Sequence, residues 1–187
     1  AFFKLLGANS TPMNFGELPD YYRRFIDSPD VACLKTTPMD AHGYFNFGPT
    51  VAHSKAVTER AKIVIVETCE SMPYVFGEQE SIHVSEVTHV IDGGRGSLPE
   101  LANPPVSEVD RKVAAIIAEH VEEGSCLQIG IGGMPNAVCT VLRDAGLRDL
   151  GIHTEMFVDG MVDLIEAGVV NGSRKQMNSH QSIYTFA

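Results

Sequence analysis

The sequence predicts an α/β fold with a mostly parallel sheet, on three observations. Short β-branched runs alternate with stretches of helical period, the rhythm of βαβ units. The run at 62–67 is nearly continuously apolar, as strands covered on both faces are. A glycine turn at 130–138 lies between a predicted strand and a predicted helix. The length of 187 residues, with 44% hydrophobic and 20% charged, is enough to build a real core.

The elements follow in order. Val31–Thr36 reads as the first strand. The segment 38–49, with Pro38, Met39, Asp40, Gly43, Tyr44, Phe45, Asn46, Phe47 and Gly48, is too dense in Gly, Pro and Asn for regular structure. Thr50 can cap a helix through Arg60, followed by the strand at 62–67. The run 92–105 concentrates Gly and Pro, so it reads as a linker with a domain boundary near residue 100, giving domains 1–100 and 101–187. Ser107 precedes an amphipathic pattern with Val109, Val113, Ile116, Ile117 and Val121 on one face, closed by Gly124 as a helix of about four turns. A strand at 126–131 comes next. The following helix starts at Pro135, whose fixed φ suits a first helical position, and runs through Val138, Val141 and Leu142 towards Gly146. A strand at 152–157 leads to Asp159, which can cap a helix holding Met161, Val162, Leu164 and Ile165 before Gly168.

Composition excludes several functions. Fourteen Lys and Arg against 24 Asp and Glu leave a net charge of −10, which argues against a phosphate-backbone binder. Apolar stretches are far shorter than the ~20 residues that span a bilayer, and residues 1–7 lack the pattern of a secretory leader. The four cysteines, at 33, 69, 126 and 139, form no C-x-x-C pair and sit in apolar contexts, so buried reduced thiols and a cytoplasmic location are expected.

Two segments carry candidate chemistry. In Gly130-Ile131-Gly132-Gly133-Met134-Pro135-Asn136, glycines let backbone N–H groups approach a ligand, and the helix start favours negative charge. The turn is not a dinucleotide fingerprint, because Pro135 stands where the third glycine belongs, and it lacks the Lys-Ser/Thr of a Walker loop. A tight turn needing glycine only for packing explains it equally well. The second segment is His153-Thr154-Glu155-Met156-Phe157-Val158-Asp159, a carboxylate near the carboxyl end of an apolar strand, where open α/β sheets bind ligands. His153 and Glu155 alternate onto one face. Against catalysis stands a solvated strand-end glutamate. Asp159 reads as a helix cap, and Asp163 and Glu166 as the wet face of that helix. Scattered histidines, among them His83 and His89, offer no metal-ligand spacing, and no Ser or Cys has a recognisable catalytic partner. Glu155 remains the best nucleophile candidate.

The turn at 130–138, the stretch from Leu150 through Leu164 and the segment 38–48 together resemble the acetyl-CoA hydrolase/transferase family, and within it the 4-hydroxybutyrate and butyryl-CoA:acetate CoA-transferases. The likeness runs from about Phe15 to Ala187. It implies two related open α/β domains of the CoA-transferase type, each incomplete here: 1–100 as the C-terminal part of the first, and 101–187 as the N-terminal part of the second. It implies that Glu155 attacks an acyl-CoA and passes through a glutamyl-CoA thioester. Gly130, Gly132, Gly133, Met134 and Pro135 would then line the CoA or acyl site. By the same likeness coenzyme A thioesters are substrates, no cofactor or metal is bound, and the enzyme self-associates or meets a complementary chain supplying a missing C-terminal half. Acyl-CoA hydrolysis at the same glutamate, a non-catalytic acyl-CoA-binding subunit and, more distantly, a sugar-phosphate isomerase are the competing readings.

Overall fold

A computed structural model describes residues 11–100 and 102–187, so the N-terminal stretch read for a leader lies outside the described residues. The chain divides into two compact units, the first ending at Ser97 and the second beginning at Leu98. Both are mixed α/β.

In the first unit a single 3-10 turn leads into α1 (Leu18–Arg24), β1 (Val31–Thr36), β2 (Tyr44–Asn46), α2 (Ser54–Arg60), β3 (Ile63–Thr68), β4 (Ser81–His83) and β5 (His89–Asp92). A parallel sheet of order β1-β3-β5 holds Val31 opposite Ile63, and Ile65 opposite His89. The antiparallel pair β2-β4 sets Phe45 opposite Ile82. Phe45, Phe47, Val64, Val66 and Ile82 form the core, with Leu34 and Val51 packed against it.

Three expectations change here. The segment 38–49 is not wholly irregular, because β2 forms inside it through pairing with a strand some thirty-five residues away. No local pattern encodes that partner. Helix α2 starts at Ser54 rather than beside Thr50, since Ala52 takes a φ of 37°, which a helix cannot contain. β3 is covered on one face only: Val64 and Val66 are buried while Ile63 is exposed, a period of two that a continuous apolar run conceals.

The second unit comprises α3 (Glu108–Ala118), β6 (Cys126–Leu127), α4 (Gly133–Asp144), β7 (Gly151–Ile152) and α5 (Asp159–Glu166). Ser107 opens α3 with a capping box. Its hydroxyl accepts from the Asp110 N–H at 3.1 Å, and the Asp110 carboxylate accepts from the Ser107 N–H at 2.8 Å. Strands β6 and β7 pair in parallel, Cys126 with Gly151. The core gathers Ala114, Ile129, Val138, Leu142, Leu150, Ile152, Met161 and Leu164.

The apolar face read for α3 is right only in part: Ile117 and Val121 pack against the core, whereas Val109, Val113 and Ile116 do not. Val109 is 68% exposed and Ile116 60%, whereas fully buried Ala114 and partly buried Ile117 and Ala118 face the core. The helix carries two apolar stripes, and the small Ala114 lets its own stripe approach closely. It also ends at Ala118 rather than near Gly124, as His120 and Val121 tighten into i→i−3 bonds of 3.0 and 3.3 Å. The strands at 126–131 and 152–157 are cut to two residues each, with the latter continuing as isolated bridges from His153 to Ile183 and Met156 to Phe186. The four cysteines are free, but only Cys69 and Cys139 are buried. Cys33 stands on the open face of the first sheet and Cys126 on the edge strand β6.

Candidate active site

The glycine turn and the glutamate sit on neighbouring parallel segments of the second unit. The His153 N–H donates to the Leu127 carbonyl at 3.0 Å, keeping the two segments side by side. Thr154 forms the joint. It is 6% exposed, and its hydroxyl lies 3.0 Å from the carbonyl oxygens of both Ile129 and Met156 while accepting from the Ile129 N–H at 3.3 Å. The residue before Gly130 is thereby bonded to the residue before Glu155.

On its other flank the glutamate segment pairs with 183–186. The Thr154 N–H donates to Ile183 at 2.9 Å, and the N–H groups of Thr185 and Phe186 both donate to the Glu155 carbonyl, at 3.0 and 3.2 Å. The rings of Phe157 and Tyr184 meet at 4.9 Å. Lys175 Nζ donates to the carbonyls of Ile152 at 2.8 Å and Gln181 at 2.7 Å, holding the returning chain against β7. The alternation leaves Thr154 buried between exposed His153 and Glu155, as the period of a strand requires. Among the described residues the Glu155 carboxylate makes no ion pair or hydrogen bond, so its oxygens are open to a substrate.

The turn itself requires glycine for more than one reason. Gly132 adopts φ 121° and ψ −179°, a region essentially confined to glycine, and caps α4 by accepting from the Asn136 N–H at 3.2 Å. At Gly133 a Cβ would lie 3.1 Å from Asp110 Oδ2 and 3.3 Å from the Pro105 carbonyl, so here glycine permits close packing. Packing does not explain Gly130, where an added Cβ meets nothing within 4 Å. Among the described residues the amides of Gly130, Ile131 and Gly132 donate to no protein acceptor, and the first-turn amides of Gly133 and Met134 have no acceptor within the helix. Met134 and Ile131 leave exposed apolar side chains at the same turn. Pro135 is the third residue of α4 rather than the first, and its missing N–H ends the row of open donors at Met134.

Asp159 is the first residue of α5, with Val158 as cap, which corrects the cap expectation. Its carboxylate accepts from Asn103 Nδ2, and the Asn103 oxygen accepts from Asn136 Nδ2 at 2.9 Å. A carboxylate only accepts, so it orients both amides and is itself engaged. In the first unit the 38–48 segment is a turn built on Asp40. Its carboxylate accepts from the amides of Tyr44 and His42 at 2.8 Å each, and the Tyr44 bond foremost holds Asp40 below the usual carboxylate range. His83 lies 2.8 Å from the Ser85 hydroxyl in a turn of its own. Among the described residues no group of three His, Cys, Asp or Glu is arranged to hold a metal ion, and no helix is long and apolar enough to cross a membrane.

Sequence reasoning missed Thr154 and Ile131. The first was signalled only by its place between two polar residues in an alternating segment; nothing in the sequence marked its partner Ile129, 25 residues away. Ile131 looked like strand and is turn.

Comparison with known proteins adds an independent line. The family model of the acetyl-CoA hydrolase/transferase N-terminal domain matches residues 4–97. The butyryl-CoA:acetate CoA-transferase of Anaerostipes caccae is 44% identical over 178 residues, 94% of this chain and 40% of that protein. The solved structure of RipA from Yersinia pestis is 37% identical with a TM-score of 0.88, covering 100% of this chain and 43% of the other. A 4-hydroxybutyrate CoA-transferase from Porphyromonas gingivalis is 34% identical with a TM-score of 0.84, covering 95% of this chain and 44% of that structure. The chain thus spans about two-fifths of the relatives it matches.

Proposed function

Since the chain belongs to the acetyl-CoA hydrolase/transferase family, we propose that it carries the nucleophile of a CoA-transferase acting between a short-chain acyl-CoA and a carboxylate such as acetate. Glu155 is that nucleophile. The observation that carries the reading is its open carboxylate, held one residue from a hydroxyl that is bonded to the entrance of the glycine turn. A Glu155 oxygen attacks the thioester carbonyl; the C–O bond forms, the C–S bond breaks and CoA leaves as thiolate. The thiolate then attacks the glutamyl carbonyl of the anhydride, releasing the donor acid and leaving CoA on Glu155 as a thioester. The acceptor carboxylate repeats both steps in reverse, so the thioester energy is conserved.

The amides of Gly130, Ile131, Gly132 and Gly133 supply donors for the oxyanion that develops at each attack. Met134 lines the apolar side of the same site, and Pro135 fixes the end of the donor row. On this reading the first unit is the C-terminal part of one CoA-transferase domain and the second the N-terminal part of another. The active enzyme is completed by self-association or by a complementary C-terminal segment, and works in the reducing cytoplasm that free cysteines suit. Neither step calls on a metal or redox cofactor. Hydrolysis is the second reading, favoured by the exposure of Glu155 to water.

The test is denaturing mass spectrometry of the active enzyme after incubation with acetyl-CoA and butyryl-CoA, followed by peptide mapping. A CoA adduct on the Glu155 peptide, absent in Glu155→Gln together with at least ~10³-fold of turnover, is the expected result. An intact enzyme turning over with no such adduct overturns it. Product analysis with and without acetate separates transfer from hydrolysis.

A further inference from the structure

Building on the reading of Glu155 as nucleophile, we propose that Thr154 is a positioning residue that registers the carboxylate against the amides of the glycine turn. The side chain is buried, with 6% of the residue exposed, while the exposed Glu155 alternates to the other side. Its hydroxyl has one proton and two lone pairs. Every hydrogen bond it makes goes to backbone: it accepts from the Ile129 N–H at 3.3 Å and shares its proton between the carbonyls of Ile129 and Met156, each at 3.0 Å.

The two bonds to Ile129 span the gap between the two halves of the site, and the bond to Met156 braces the backbone around Glu155 itself. Ile129 immediately precedes Gly130, the start of the open amide row, and Met156 immediately follows Glu155. The regular ladder between the two segments stops early, at Leu127 with Ile152, and the His153 N–H to Leu127 bond is its last backbone rung. Beyond that point Thr154 supplies, from its side chain, the connection that strand pairing no longer makes. A displacement of the carboxylate by an ångström relative to its oxyanion donors can slow an attack ~10²-fold without changing how tightly the substrate binds. The opposite flank of Glu155 is held separately, through its carbonyl to Thr185 and Phe186, so loss of the hydroxyl leaves the segment in place while releasing its register to the turn.

The experiment compares Thr154→Val, which keeps the shape and removes the hydroxyl, with Thr154→Ser, which keeps the hydroxyl, in the active full-length enzyme. Rapid-quench mass spectrometry reads the rate of CoA-adduct formation at Glu155 per folded molecule, and steady-state assays read kcat and KM. The expected result is a ~10-fold to ~10²-fold fall in adduct formation and kcat for Val, KM within about twofold, and Ser within about threefold of wild type on every measure. A purely structural threonine would lower the melting temperature of the Val variant and leave its rate per folded molecule unchanged; that outcome overturns the proposal. If the Val variant does not fold, the Ser variant decides, and a folded Ser variant slowed ~10-fold or more also overturns it. Wild-type enzyme that turns over without an adduct on Glu155 sinks the nucleophile itself, and this inference with it.

Discussion

Each unit buries a polar side chain that makes three hydrogen bonds, all to backbone, and the two serve different ends. In the first unit Asn46, 1% exposed, grips a loop: its Nδ2 donates to the Val75 carbonyl at 2.9 Å, and its Oδ1 accepts from the amides of Val75 at 3.1 Å and Gly48 at 2.9 Å. The loop so held turns Tyr74 and Phe76 outward, the latter 90% exposed, with their rings 5.2 Å apart. In the second unit Thr154 performs the same kind of fastening beside a carboxylate and a row of open amides. A buried polar clamp contributes about 1 kcal/mol net, yet leaves several unpaired groups when removed, so its main effect is to specify one geometry. What distinguishes the second clamp is therefore the neighbour being fastened, an exposed carboxylate rather than two rings.

Breaking the first clamp gives the largest expected effect. Asn46→Ala strands both polar groups of Val75 and the Gly48 amide, and a loss of about 3 kcal/mol is expected in chemical denaturation. Hydrogen exchange then accelerates at 72–78, while adduct formation at Glu155 in the molecules still folded is unchanged. A slowed adduct would show that the two clamps are coupled.

The second prediction concerns packing and thiols, one exposed and one buried in each unit. Cys33 and Cys126 should react with a disulfide reagent in the native state at neutral pH, and Cys69 and Cys139 only on unfolding. Burial foremost, with Asp163 adding repulsion, pushes the Cys139 thiol up to about 11. Gly160 is the key to that seclusion: a Cβ there would lie 2.7 Å from Cys139 Cβ and 3.0 Å from its sulfur. Gly160→Ala should cost about 1–3 kcal/mol by forcing α4 and α5 apart, and should bring Cys139 into the reactive class.

The smallest effect is one of acidity and belongs to the first unit. His53 stacks on Tyr22 at 5.3 Å with its Nδ1 buried and, among the described residues, unpartnered, and burial holds its pKa below the ordinary value. The neutral ring is thus the folded form. Its contribution is fully present above about pH 6.5, where the unfolded chain is also neutral, and is lost as pH falls from there toward the folded value. A slight decline in stability between pH 7 and pH 5.5, abolished in His53→Phe, is the expected result.

Where local chemistry decided the structure, the sequence was legible. β1 occupies Val31–Thr36 as read from the sequence, and Ser107 opens α3 where a capping residue stood before a helical pattern. The family was legible through the resemblance of three motifs, and the two candidate segments stood out because glycines at 130, 132 and 133 and a carboxylate at 155 are exceptions to an otherwise apolar pattern. What failed was everything set by distant partners. The strand β2 needed β4, the covered face of α3 was chosen by Ala114 against α4, and the segment around Glu155 took its form from 183–186 rather than from its own propensity. Gly130 also looked like its neighbours in sequence, although it alone of the three is free of packing or backbone constraint.

The pairing of the Glu155 carbonyl with Thr185 and Phe186 has a consequence in time. Those partners lie about thirty residues downstream, and the Ile129 partner of Thr154 lies 25 upstream, so both fastenings close long loops. Contacts of that separation form after local helices such as α4 and α5. The segment that carries Glu155 therefore acquires its final position late in folding. An emerging chain holds Glu155 without its final placement until the downstream partner segment at 183–186 docks.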